Sequence, residues 1–261
     1  MPMKKNKKII AIIILIGALA AIIGTVLYFT LIYVPETDAY ADYTIADANL
    51  TWKKTDRTLG KYISDEDGVS VNYHYKKIKG EDEDQILGAW RRSDELFSYG
   101  RNLVLLAPNK DLDVFGDWKI RELELFLVDS ESDEWDREYT EHEPSDIKRI
   151  SVAKTQNADA ISDILKIIGT ADKMPKLSED YSHELPPAQD GVSRPAYCGI
   201  RVHFEESDGI VWEAEMSVYY SGNDRRIFLN ILSVDSAKSE KFIEIPKDGA
   251  LFSFIEKEIF G

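Results

Sequence analysis

The chain has 261 residues, 32 of them Lys or Arg and 47 Asp or Glu, so its formal charge is −15 at neutral pH. A surface of that sign repels nucleic-acid phosphate and anionic polymers, and it favours basic proteins, cationic peptides and divalent metals as partners. The single cysteine, Cys198, excludes an intrachain disulfide, which for an exported domain leans toward a bacterial surface.

Residues 9–34 read IIAIIILIGALAAIIGTVLYFTLIYV, a run of 26 without a charge. At about 1.5 Å rise per residue this is roughly 39 Å of helix, enough to cross a ~30 Å hydrocarbon core with some tilt. Lys4, Lys5, Lys7 and Lys8 precede it and predict a cytoplasmic N-terminus, with Tyr28 and Tyr33 near the outer interface. A cleaved signal peptide ending at Ala39-Tyr40-Ala41 is the rival reading. Its apolar region would be only ~7–15 residues, so the length favours a retained anchor. Gly17, Ala21 and Gly24 share one face, small enough for a helix-mediated dimer, although small residues are common in membrane helices anyway. The expected organisation is a basic tail at 1–8, a transmembrane helix at 9–34, an acidic spacer at 35–50 and an extracytoplasmic domain at 51–261. Without the four lysines, 28 basic residues face 47 acidic ones, a formal charge of −19.

Beyond the spacer, Val69, Val71, Tyr73 and Tyr75 alternate with Ser70, Asn72, His74 and Lys76, predicting a half-buried strand. Ile86, Ala89, Trp90, Ser93 and Phe97 recur at helical spacing, with Asp82 and Asp84 at the start and Arg91 and Arg92 later in the segment, predicting an amphipathic helix over 82–98. Residues 103–107 and 118–128 are rich in strand formers. Residues 129–146 carry nine acids and one Arg, marking an exposed connection or a subdomain boundary near 130–146. A strand is expected at 147–153. A helix follows with the stripe Ile161, Ile164, Leu165 and Ile168, capped by Asn157 and stopped at Gly169.

Residues 170–196 contain four prolines and no periodicity, a length that inside a compact domain marks either function or disorder. The last third reads as a β-meander: 198–204, 210–220, 226–233 and 242–245, with turns at Glu206-Ser207-Asp208-Gly209 and Ser221-Gly222-Asn223-Asp224. Leu251, Phe254, Ile255 and Ile259 then predict a terminal helix docked on the sheet. The fold class expected is α+β: one N-terminal transmembrane helix, then an antiparallel meander with about three packed helices.

Chemistry-bearing motifs are sparse. His74, His142, His183 and His203 are scattered and meet no zinc spacing. Asp129, Glu131 and Asp133 begin like a calcium loop, but Glu134 stands where its glycine belongs and Thr140 where its glutamate belongs. Ser151-Val152-Ala153-Lys154 matches S-x-x-K without the companion K-T-G motif. Asn49-Leu50-Thr51 is a formal glycosylation sequon. Cys198 alternates into the buried face as a core thiol, and no cofactor or metal is implied. Tyr219 and Phe228 fall on the polar side of the meander with Glu213 and Glu215. If that side is uncovered it is an acidic face with aromatic anchors for a basic protein; if the terminal helix covers it, these residues are core. Binding candidates are therefore Glu213, Glu215, Tyr219 and Phe228, together with Tyr181 and His183 of the proline-rich stretch. The function expected is binding rather than catalysis: an immunity, inhibitor or regulatory protein facing a basic partner at the cell surface. The alternatives are a surface hydrolase using carboxylates and a structural membrane-associated protein.

Overall fold

The computed structural model describes residues 17, 22, 23, 25, 33–47, 49–66, 68–93, 101–128, 149–170, 197–221, 224–231 and 241–260. They form two antiparallel sheets and three short helices. In chain order these are β1 (Thr44–Ile45), β2 (Leu50–Trp52), β3 (Thr55–Glu66), β4 (Val69–Ile78), β5 (Ile86–Ser93), β6 (Arg101–Leu106), α1 (Val114–Asp117), β7 (Ile120–Val128), β8 (Arg149–Thr155), α2 (Ala158–Thr170), β9 (Tyr197–Phe204), β10 (Ile210–Ser221), β11 (Asp224–Ile231), β12 (Lys241–Glu244) and α3 (Ala250–Phe260). The first sheet is ordered β1-β6-β5-β4-β3; the second is ordered β12-β11-β10-β9-β7-β8, with β2 also pairing β10.

The first sheet is a meander of neighbouring strands. Its β3–β4 turn is closed by Asp65, whose Oδ1 accepts from Gly68 N at 2.8 Å, and Gly68 has φ +84, which suits a residue without Cβ. One face carries Tyr75, Leu87, Ala89, Leu103 and Leu105, with Tyr40, Tyr43 and Ile45 packed on it. Residues ahead of β1 also follow the β3 edge, where Thr37 N donates to Lys61 O and Lys61 N donates to Pro35 O, both at 2.8 Å. The other face, through Ile78, Ile86, Trp90, Val104 and Leu106, enters the main core.

That core lies on the apolar side of the second sheet. Leu123, Leu125, Ile200, Val202, Phe204, Trp212, Ile227 and Leu229 meet Val114 of α1, Ala160, Ile164 and Ile167 of α2, and Leu251, Phe252 and Ile255 of α3. The strand β2 belongs to the second sheet by pairing, with Trp52 opposite Ile210, yet its Trp52 ring lies against Gly88 of the first. A Cβ on Gly88 would come within 2.5 Å of Trp52 Cδ1. Gly209, in the β9–β10 turn, makes the reciprocal approach, since a Cβ there would meet Ile78 Cγ2 at 2.5 Å and Lys79 O at 2.7 Å. Around it Lys53 N donates to Gly209 O at 2.7 Å, and Ser207 Oγ donates to Glu81 Oε1 at 2.6 Å.

The helix with an Asn157 cap forms as the residues imply. Asn157 Oδ1 accepts from Asp159 N at 2.8 Å and Ala160 N at 3.2 Å. The helix runs one residue past Gly169, where Thr170 Oγ1 donates to the carbonyls of Lys166 and Ile167, each at 3.0 Å. Asp163 of α2 caps the other long helix: its Oδ2 accepts from Leu251 N at 3.2 Å.

Two expectations are corrected. The α+β class with an N-terminal transmembrane helix gives way, among the described residues, to two antiparallel sheets with three short helices. Among the described residues no helix is long and apolar enough to cross a membrane. The longest, α2, has 13 residues, about 20 Å at 1.5 Å per residue against the ~30 Å of a bilayer core. Residues 9–34 fall almost wholly outside the described set: Gly17 is helical and exposed, and Ala21 and Gly24 lie outside it.

The second correction concerns 82–98. The acids read as a helix start form a turn, in which Gln85 N and Ile86 N both donate to Asp82 O, at 3.0 and 2.8 Å. Ile86, Ala89, Trp90 and Ser93 belong to β5, at the centre of the first sheet, and Phe97 lies outside the described residues. Leu87 and Ala89 face one core cluster while Ile86 and Trp90 face the other. A strand buried on both faces shows no clean alternation, so its apolar residues coincided with a helical spacing.

Gly88→Ala forces its methyl into the Trp52 ring and is expected to lower stability by about 1–3 kcal/mol. Gly169→Ala meets open space in a helix and should raise it by about 0.5–1 kcal/mol. Urea midpoints of the two variants, moving in opposite directions at unchanged slope, check the pair.

Candidate functional site

The polar side of the second sheet carries an array of charged groups joined across neighbouring strands. Pairing register places Lys154 of β8 opposite Glu124 of β7, Glu124 opposite Arg201 of β9, and Arg201 opposite Glu213 of β10. The result is a row of alternating charge across four strands, an arrangement that directly opposed cross-strand neighbours favour. His203, two residues along β9, reaches diagonally so that its Nε2 lies 2.5 Å from Glu124 Oε2. Arg201 Nη1 is 3.5 Å from the same oxygen, Lys154 Nζ 3.9 Å and Lys53 Nζ 4.0 Å. Arg201 also donates through Nε and Nη2 to Glu213 Oε2, at 3.0 and 2.8 Å, and Lys154 Nζ donates to Glu122 Oε1 at 2.9 Å.

Glu124 is 3 % exposed and His203 5 %. Burial alone would raise the Glu124 carboxyl. The hydrogen bonds from His203 and Ser151, with the charges of Arg201 and Lys53, outweigh that and hold it well below the usual carboxylate range. Burial in turn lowers the Lys53 ammonium, against the pull of Glu124. The cluster balances: Glu122, Glu124 and Glu213 face Lys53, Lys154 and Arg201.

Two aromatic rings sit in this face beneath guanidinium groups. Arg201 Cζ is 5.0 Å from the Phe126 ring centroid, and Arg226 Cζ is 5.1 Å from that of Phe228. Phe126 has room because Gly199 stands opposite it; a Cβ there would lie 2.2 Å from Phe126 Cζ. Arg226 also grips Glu244, through Nε at 2.7 Å and Nη2 at 2.5 Å.

Of the residues singled out from sequence, Glu213, Glu215 and Phe228 share this face. Glu213 is held by Arg201, Glu215 is exposed opposite Gly199 and Asn230, and Phe228 is 1 % exposed opposite Ser217 and Glu244. Tyr219 pairs with Arg226 in the β10–β11 ladder. The terminal helix is on the opposite side of the sheet, in the main core. Tyr181 and His183 lie outside the described residues, as do Asp129, Glu131, Asp133 and His142. Periodicity alone did not reveal Glu124, His203, Arg201 and Lys53, although the polar positions of two expected strands hold the first three. The S-x-x-K pair Ser151 and Lys154 turns out to serve Glu124.

Chemically the array is poorly suited to catalysis. A carboxylate held so far below its usual range is a weak general base. Ser151 bonds Glu124 rather than an imidazole, which is not the relay of a serine nucleophile. Arg201 touches both Glu124 and Glu213, the opposite of an acid–base division between two carboxyls. Burial pushes the Cys198 thiol up to about 12, so it carries little thiolate. Among the described residues no group of three His, Cys, Asp or Glu converges to hold a metal ion. The sequon asparagine is 4 % exposed and its Nδ2 donates to Glu213 O at 2.8 Å, so the nitrogen a glycan needs is engaged.

A second charged region lies on the first sheet. Tyr40 and Tyr43 meet edge to face at 5.4 Å, and Tyr40 meets Tyr75 at 5.2 Å. Burial raises both Tyr40 and Tyr43 hydroxyls, and carboxylates add to the effect: Glu83 and Asp84 at Tyr40, Asp84, Asp42 and Asp82 at Tyr43. Asp42, Asp82 and Asp84 are exposed. A polar cleft of about 420 Å³ opens between α2 and the start of α3, lined by Asp159, Asp163, Lys166 and Asp248 among others.

Glu124→Gln leaves three cations and an imidazole around a neutral group, and should lose about 3–5 kcal/mol at neutral pH. Because the folded carboxyl lies below its unfolded value, its contribution is complete above the unfolded value of about 4.3 and is lost as pH falls from there toward the folded one. The difference between wild type and Glu124→Gln in urea unfolding should therefore narrow below about pH 4; a difference constant from pH 7 to pH 3 would refute the assignment. No protein-family model matches the chain, and no curated protein or solved structure matches it either.

Proposed function

We propose that the protein acts by binding, and that its partner is a basic protein. The observation that carries the reading is the disposition of its cations. Arg57 is bound to Glu83, Arg91 to Glu66, Arg121 to Asp208, Arg201 to Glu213 and Arg226 to Glu244, at 3.1, 2.6, 3.2, 2.8 and 2.5 Å. Each pair neutralises one carboxylate inside the molecule, and the surplus behind the charge of −15 is left to face a partner. Such a field accelerates and orients encounter with a cationic surface more than it adds affinity. An immunity, inhibitor or regulatory role toward a cationic protein at the cell surface fits it. The region best placed for contact is the exposed acidic rim of Asp42, Asp82 and Asp84 beside Tyr40 and Tyr43, because the Glu124 array is already neutralised by Lys53, Lys154 and Arg201.

The test titrates the protein with a poly-lysine peptide from about 0.1 M to about 1 M salt, as the Debye length shrinks from ~10 to ~3 Å. Affinity should fall steeply with salt. The combined Asp42→Lys, Asp82→Lys and Asp84→Lys variant, with an unchanged circular dichroism spectrum, should bind about tenfold more weakly in the low-salt buffer. Absence of binding there, or binding indifferent to salt, would overturn the reading.

A further inference from the structure

We draw no further inference here: the strongest candidate, the outer edge of β8 with its exposed Ile150 and Val152, is an apolar edge for which nothing in the structure shows what strand or surface covers it.

Discussion

Burying a carboxylate within a protein is unfavourable by several kcal/mol unless charge and hydrogen bonds replace the lost water. Glu124 sits in the middle strand of three, and its replacement for water comes from β8, from β9 and from the residue that follows β2. The requirement therefore reaches across much of the second sheet. A one-residue slip of β7 against β9 would turn Glu124 toward Leu123's side, into the apolar core, and turn Leu123 and Leu125 out. Hydrophobic alternation and the charge row thus demand the same register, each penalising the slip that the other penalises.

The second constraint is where the sheets meet. Two glycines permit it, Gly88 beneath the Trp52 indole and Gly209 against Ile78, and the side chains around them are large and rigid. At these two points the backbone of one sheet is approached closely by side chains tied to the other, beside the apolar face that Ile78, Ile86, Trp90, Val104 and Leu106 bring to the main core. In consequence β2, only three residues long, both extends the second sheet and lays its tryptophan on the first. A short strand with two neighbours in different sheets explains why the main core is continuous from Ile86 to Ile255.

Much of the last third was legible in the residues. Ile200, Val202 and Phe204 alternate with Arg201 and His203, and the long run from Ile210 keeps its period, so strand type and inward face both follow. The helix after Asn157 was equally plain, because its cap and stripe agree. β5 was not legible, since it is covered on both faces and its neighbours come from both cores. The transmembrane architecture rested on length and hydropathy of residues 9–34, while the described fold is set by strand pairing farther along. The charged array was hidden for a different reason. Glu124 and His203 are 79 residues apart, and only the non-sequential neighbourhood of β7 and β9 makes them a pair. Local periodicity says which residues are polar on a strand but not which strand lies beside it.

The cap that α2 lends to α3 has a bearing on how the chain is made. The first sheet draws on β1 and β3 to β6, all within residues 44–106, and can pair as soon as that stretch is synthesised. The main core cannot be completed so early: Asp163 waits 88 residues for Leu251 N, and Leu251, Phe252 and Ile255 emerge after β12. Until α3 has emerged, the apolar side of the second sheet lacks one of its covering helices. Incomplete cores of this kind are aggregation-prone. Deleting α3 would thus strip the lid from a sheet whose described strands are all present, leaving a molecule half assembled rather than merely shortened.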